Sequence, residues 1–132
     1  MANELAESDM IELRPSSFKF HDFSTSVCEV RISCRIIKME DSLYVWVGDF
    51  EDSKMNDLTV AMPSKYEKLP VATKIMGMTE DSTSTSLAKR LTKKCGKPVF
   101  VSFNVAVNNL TLPVIEKAIQ DEFNTQKHLL VF

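Results

Sequence analysis

Two stretches of this chain leave almost no polar position: Leu43-Tyr44-Val45-Trp46-Val47 and Val99-Phe100-Val101-Ser102-Phe103. Runs this short and this rich in β-branched and aromatic residues read as strands, and a strand apolar on both sides needs cover on both sides. Such strands belong in the middle of a sheet. The rest of the chain must therefore supply flanking strands and enough helix to cover two faces.

The flanking strands are legible. From Val27, the residues Cys28, Val30, Ile32, Cys34 and Ile36 alternate with Glu29, Arg31, Ser33 and Arg35, which predicts a long half-buried strand. Glu40-Asp41-Ser42 supplies turn residues, so this strand and the Leu43–Gly48 strand form an antiparallel hairpin. Asp49 to Asp57 is polar and reads as a loop. Leu58–Met62, stopped by Pro63, and Val71–Met76 are two further strands.

Helical signals appear twice. Thr79 to Ser86 offers several capping oxygens ahead of Leu87, Ala88 and Leu91, which predicts a helix over 82–95. Gly96 suits the position after its end, Pro98 blocks continuation, and Lys89, Arg90, Lys93, Lys94 and Lys97 gather at the negative end of the helix dipole. Pro113 fits the first turn of a second helix whose stripe, Ile115, Ala118, Ile119, Glu122 and Phe123, is apolar except at Glu122. The segment from His128 to Phe132 reads as an edge strand or as cover. Two amphipathic helices cannot blanket both sides of a five- or six-stranded sheet. Tyr44, Trp46 and Phe100 therefore either face a partner or lie under the second helix and the C-terminal tail.

Length and composition bound the architecture. A chain of 132 residues is one ordinary domain, burying roughly two thirds of the surface exposed by its unfolded form. The expected fold class is α+β, a single domain over 18–132 with an antiparallel sheet of about five to six strands and two main helices. Residues 1–17 carry Glu4, Glu7, Asp9 and Glu12 among few large apolar groups and read as a mobile acidic arm, with a helical turn from Leu5 to Leu13 as the alternative. The absence of an apolar run near 20 residues argues against a membrane span, and the acidic N-terminal stretch is unlike a signal peptide, so an intracellular protein is expected. Three cysteines without CxxC spacing, Cys28, Cys34 and Cys95, read as reduced and mostly buried thiols.

Chemistry is sparse. The two histidines, His21 and His128, lie at opposite ends of the chain, and no metal-ligand spacing surrounds them. The hydroxyls of 82–86 lack a nucleophile elbow, and three isolated glycines make no phosphate cradle. No cofactor, metal site or catalytic residue is expected. The net charge of −2 argues against nucleic acid, but the basic run on helix 82–97 keeps an anion- or nucleic-acid-binding module as the alternative reading.

The run Asp41-Ser42-Leu43-Tyr44-Val45-Trp46-Val47-Gly48, then Leu58-Thr59-Val60-Ala61-Met62, Ser64-Lys65-Tyr66 and Leu69-Pro70, resembles the proteasome assembly chaperone 4 family. The later runs Asp81-Ser82-Thr83-Ser84-Thr85-Ser86-Leu87-Ala88-Lys89-Arg90-Leu91 and Lys97-Pro98-Val99-Phe100-Val101-Ser102-Phe103-Asn104 strengthen the likeness, which spans about 18–125. The resemblance implies an ATP-independent chaperone, not an enzyme, of cytoplasmic and also nuclear location. It implies a heterodimer with proteasome assembly chaperone 3 that promotes formation of the 20S proteasome alpha ring and leaves before the particle matures. The client it implies is proteasome subunit alpha type-5, on the ring face that later receives the beta subunits, together with alpha-ring intermediates. Tyr44, Trp46 and Phe100 are the candidate partner-facing residues; Lys89, Arg90, Lys93 and Lys94 are the candidate charged docking surface. If the chaperone reading holds, exchanging Lys93 and Lys94 for Glu will leave retention of the folded protein on heparin unchanged, whereas a marked loss of retention would favour the nucleic-acid module.

Overall fold

The computed structural model describes residues 11–132. The first ten residues of the expected acidic arm, and most of the alternative turn from Leu5 to Leu13, lie outside the described residues; residues 11–17 contain no helix or strand and are exposed. The strands are β1 (Lys19–Val27), β2 (Val30–Lys38), β3 (Leu43–Asp49), β4 (Leu58–Met62), β5 (Val71–Met76) and β6 (Val99–Phe103). The helices are α1 (Thr83–Cys95) and α2 (Thr111–Thr125), followed by a 3₁₀ turn at Lys127–Leu130.

All six strands form one sheet in the order β1-β2-β3-β6-β4-β5. The two most apolar strands, β3 and β6, are central neighbours, as their composition requires. Their pairing is parallel, with Leu43 opposite Val99 and Val47 opposite Phe103, so the sheet is mixed rather than antiparallel throughout. The reason is topological. The β4–β5 hairpin and α1 all lie between β3 and β6 in sequence, and a connection of that length can return the chain to run beside β3 in the same direction.

The hairpin of β1 and β2 corrects the sequence reading at Cys28. Val27 pairs with Val30, and Cys28 and Glu29 form a two-residue turn with φ of 49° and 68°. Both turn residues are thus left-handed, as a turn matching the strand twist demands. Cys28 is therefore exposed and outside the strand; Cys34 is buried and Cys95 is half-buried. Burial, reinforced by the negative charges of Glu122 and Asp22, pushes the Cys34 thiol far up, so it stays an unreactive core thiol.

Both helices pack on one face of the sheet. That face consists of Ile32, Cys34 and Ile36 on β2, Leu43, Val45 and Val47 on β3, Val99, Val101 and Phe103 on β6, and Ala61 on β4, all buried. Against it α1 sets Leu87, Ala88 and Leu91, and α2 sets Ile115, Ile119 and Phe123. Each such aliphatic or aromatic side chain contributes about 1.5–3 kcal/mol by leaving water. Polar groups on the same face are bonded: Thr59 and Ser84 share a hydroxyl hydrogen bond of 2.8 Å, and Thr92 donates to the Ala61 carbonyl at 3.2 Å.

Local signals behave as read, with one difference. Gly96 takes the left-handed position after α1, its amide donating to the Thr92 carbonyl. At the other end Ser82 makes no side-chain cap; the Thr83 amide donates instead to the Asp81 carboxylate at 3.0 Å, while Ser84 is taken inward by Thr59. Before α2, the Asn108 side chain accepts from the amides of Leu110 and Thr111. The C-terminal segment is cover rather than an edge strand: Leu129 is buried, and Lys38 donates to the carbonyls of His128 and Val131.

One buried ion pair fastens the loop end of the sheet. Lys74 on β5 meets the Asp57 carboxylate at 2.6 Å, with both side chains only 10% exposed. Lys74 also donates to the Asp81 carbonyl and to Ser84, and the second Asp57 oxygen accepts from the Phe103 amide. Four segments are joined at this point. Lys74→Met is expected to lower unfolding free energy by about 3–5 kcal/mol, because it strands a buried carboxylate; a denaturant midpoint within error of the native one would refute this. Replacing Cys28-Glu29 with Asn-Gly should raise stability by roughly 1 kcal/mol by relieving two non-glycine left-handed residues, read as a higher thermal midpoint.

Candidate functional site

Among the described residues no helix lies over the face of the sheet away from α1 and α2. Strand register builds a continuous row across it: Phe20 opposite Ile37, Ile37 opposite Tyr44, Tyr44 beside Phe100, Phe100 opposite Val60, and Val60 opposite Thr73. Six strands at about 4.8 Å spacing make this row roughly 24 Å long. Beyond it Met62 and Val71 form the next cross-strand pair, each 51% exposed, while Phe20 at the other end is 62% exposed. Ile37, Tyr44, Val60 and Phe100 are half-buried, sheltered by one another rather than by a second layer. Partial burial pushes the Tyr44 hydroxyl upward in pKa.

The parallel row on the loop side of this ladder is polar. Asp22 lies opposite Arg35, Arg35 opposite Trp46, and Trp46 beside Ser102. Arg35 grips Asp22 with two hydrogen bonds of 2.8 and 2.9 Å, and this guanidinium holds the Asp22 carboxyl below the usual carboxylate range. Together with Ser24, Ser33, Trp46 and Phe50 the pair lines an open cleft of about 630 Å³. The Phe50–Met55 segment overhangs it: the Trp46 indole N–H donates to the Lys54 carbonyl at 2.9 Å, and the Tyr44 hydroxyl reaches the Met55 sulfur at 3.6 Å.

The structure thus brings Tyr44, Trp46 and Phe100 together on one uncovered face, and α2 and the C-terminal tail lie on the other. The charged candidates are separated from them by the full thickness of the domain. Lys89, Lys93 and Lys94 are exposed on the outer side of α1, but Arg90 is spent on an ion pair of 2.9 Å with Glu116 of α2. Lys97 stands 3.5 Å from Asp41. Ile37, Val60 and Phe20 belong to the aromatic row and were not singled out from sequence. The only signal for Ile37 and Val60 is alternation, since they sit one position away from Ile36 and Ala61 on the aliphatic face.

The His21 imidazole lies 2.6 Å from the Glu122 carboxylate, which explains the single polar position on the α2 stripe as a strut between helix and edge strand. His128 is exposed at the far side of the chain end. Among the described residues no three His, Cys, Asp or Glu side chains group to hold a metal ion, and no helix is long and apolar enough to cross a membrane. The apolar row on the sheet and the cationic side of α1 are thus two separate surfaces.

Comparison with known proteins agrees with this character. The model of the family described as proteasome assembly chaperone 4 matches residues 31–105. Proteasome assembly chaperone 4 of Mus musculus is 40% identical over 107 residues, covering 80% of this chain and 85% of the relative. The Homo sapiens protein of the same name is 39% identical over 104 residues, covering 77% and 82%. Among solved structures, a chain from a chaperone complex for yeast 20S proteasome assembly superposes with a TM-score of 0.62 at 12% identity, covering 86% of this chain and 98% of that one, a likeness of fold.

Proposed function

The chain belongs to the proteasome assembly chaperone 4 family, and on that premise we propose that it works as one half of a two-chaperone complex, pairing with proteasome assembly chaperone 3 through its uncovered sheet face. The observation that carries the reading is the row Phe20–Ile37–Tyr44–Phe100–Val60, an apolar ladder across the sheet with no helix or strand of the described residues above it. Exposed apolar patches of this extent are uncommon on monomers, and aromatic side chains are enriched in the buried centres of interfaces. A second sheet laid face to face on this one at about 10 Å would complete a sandwich. The yeast structural relative comes from a chaperone complex, which supports a paired state.

The client side of the proposal uses the opposite surface. With the sheet face consumed by the partner, the outer side of α1 stays free, and Lys89, Lys93 and Lys94 offer it as a cationic docking surface for the alpha-ring subunit, proteasome subunit alpha type-5. The pair would hold alpha-ring intermediates while neighbours add, in the cytoplasm and nucleus, through contacts alone and without ATP or catalysis.

Native mass spectrometry of the chain alone and co-expressed with proteasome assembly chaperone 3 tests the pairing. A one-to-one heterodimer is expected, with the lone chain self-associated or poorly soluble. Val60→Lys, which puts a charge at the centre of the ladder, should abolish the heterodimer while leaving the circular dichroism spectrum unchanged. A stable monomer indifferent to that partner would reject the reading.

A further inference from the structure

The Phe50–Met55 segment crosses the uncovered face instead of passing beside the sheet. It leaves β3 toward β2, where the Phe50 amide donates to the Arg31 carbonyl at 2.9 Å and the Arg31 guanidinium stacks 3.7 Å from the centre of the Phe50 ring. It returns over β3, held by the hydrogen bond from Trp46 to the Lys54 carbonyl and by Tyr44 against Met55. Past β6 the Asn56 amide donates to the Asn104 side chain at 2.9 Å. The segment is therefore pinned at both ends and in the middle.

Gly48 makes the middle pin. A Cβ placed there would stand 2.4 Å from two carbons of the Trp46 ring. Gly48 lies in β3 and is not among the residues with positive φ, so its backbone alone does not call for glycine. The missing side chain is what lets the indole lie down along the strand and aim its N–H at Lys54. Gly48 is thus a positioning residue for Trp46, and Trp46 for the segment above it.

Face-to-face sheets leave about 10 Å between them for interdigitating side chains. A backbone carbonyl at hydrogen-bonding distance from Trp46 already occupies that space. The Asp22–Arg35 pair, more than half exposed on the same side, would also have to be stripped of water by any apolar sheet laid over it. Both facts close the Trp46 end of the face to a packed sheet and leave the Phe100 end open.

We propose that Phe50–Met55 is a fixed wall, latched by Trp46 lying over Gly48, that confines the partner chaperone's sheet to the Phe20–Ile37–Tyr44–Phe100–Val60 ladder and the Met62/Val71 end beyond it, and so sets the register in which the two subunits pair. The proposal rests on the pairing reading above and adds to it a footprint and a residue that enforces it. Tyr44 is then the boundary side chain, its ring in the ladder and its hydroxyl at the wall.

Trp46 is the single tryptophan of the chain, so a fluorinated tryptophan incorporated there gives one fluorine resonance. Adding proteasome assembly chaperone 3 to the full chain should leave the exchange of the hydrogen-bonded Phe50, Glu51 and Asp52 amides unchanged, because the wall stays in place. Gly48→Ala should shift the Trp46 resonance, speed exchange in the segment and weaken pairing by about tenfold, more than most single interface truncations cost. Trp46→Phe, which keeps an aromatic ring but no N–H, should speed exchange and weaken pairing in the same direction, and guards against a folding defect peculiar to Gly48→Ala. Exchange in Phe50–Met55 that accelerates when the partner binds would overturn the wall, as would a Gly48→Ala chain that loses the latch yet pairs as tightly as, or more tightly than, the native one. A Val60→Lys chain that pairs normally would instead overturn the pairing reading itself, and with it the register claim.

Discussion

The parallel hydrogen bonding of β3 to β6 joins the two strands that have no polar face, and most of the molecule follows from it. Two such strands side by side place the greatest density of apolar side chain at the centre of the sheet, where neighbouring strands protect their edges. To run parallel they must be joined by a long connection, and that connection carries β4, β5 and α1. The helix of the connection lands on one face, and α2, which follows β6 directly, packs on the same face. Among the described residues the helical cover thereby falls on Leu43, Val45, Val47, Val99, Val101 and Phe103, and no helix covers Tyr44, Trp46 and Phe100.

The uncovered face is not uniform. Its middle is a ladder of large apolar groups, and its loop end is an ion pair, several hydroxyls and a segment of backbone pinned above an indole. An apolar surface gains free energy from any apolar cover, so by itself it selects nothing. Polar groups beside it cost free energy when covered badly, and they restrict which cover fits. The cationic side of α1 lies on the far surface, so a partner on the sheet and a client on the helix would not compete for space.

Several elements were readable from the chain because a local rule and the global packing agreed. The β2–β3 hairpin, the α1 stop at Gly96 and Pro98, and the inward stripe of α2 are of this kind. Others were hidden. β1, with His21, Asp22, Ser24, Thr25 and Ser26 between its few apolar residues, carries little strand signal; it is an edge strand whose pairing with β2 does the ordering. The turn at Cys28-Glu29 has neither Asn nor Gly, the residues that ordinarily announce two left-handed positions. Glu122 reads as a flaw in an apolar stripe until His21 is placed opposite it.

Binary pattern alone determined that this chain forms a single α+β domain with β3 and β6 at its centre and an excess of apolar strand surface over helix, because period and composition are properties of neighbouring residues. Which of the two faces would go uncovered was a question of chain direction and of where both helices return, and these depend on contacts between residues far apart in sequence. The same holds for the fate of individual side chains. Arg90 and Lys93 look alike in the sequence, yet one pairs with Glu116 and the other has no ion-pair partner among the described residues, and only the packing of α1 beside α2 distinguishes them.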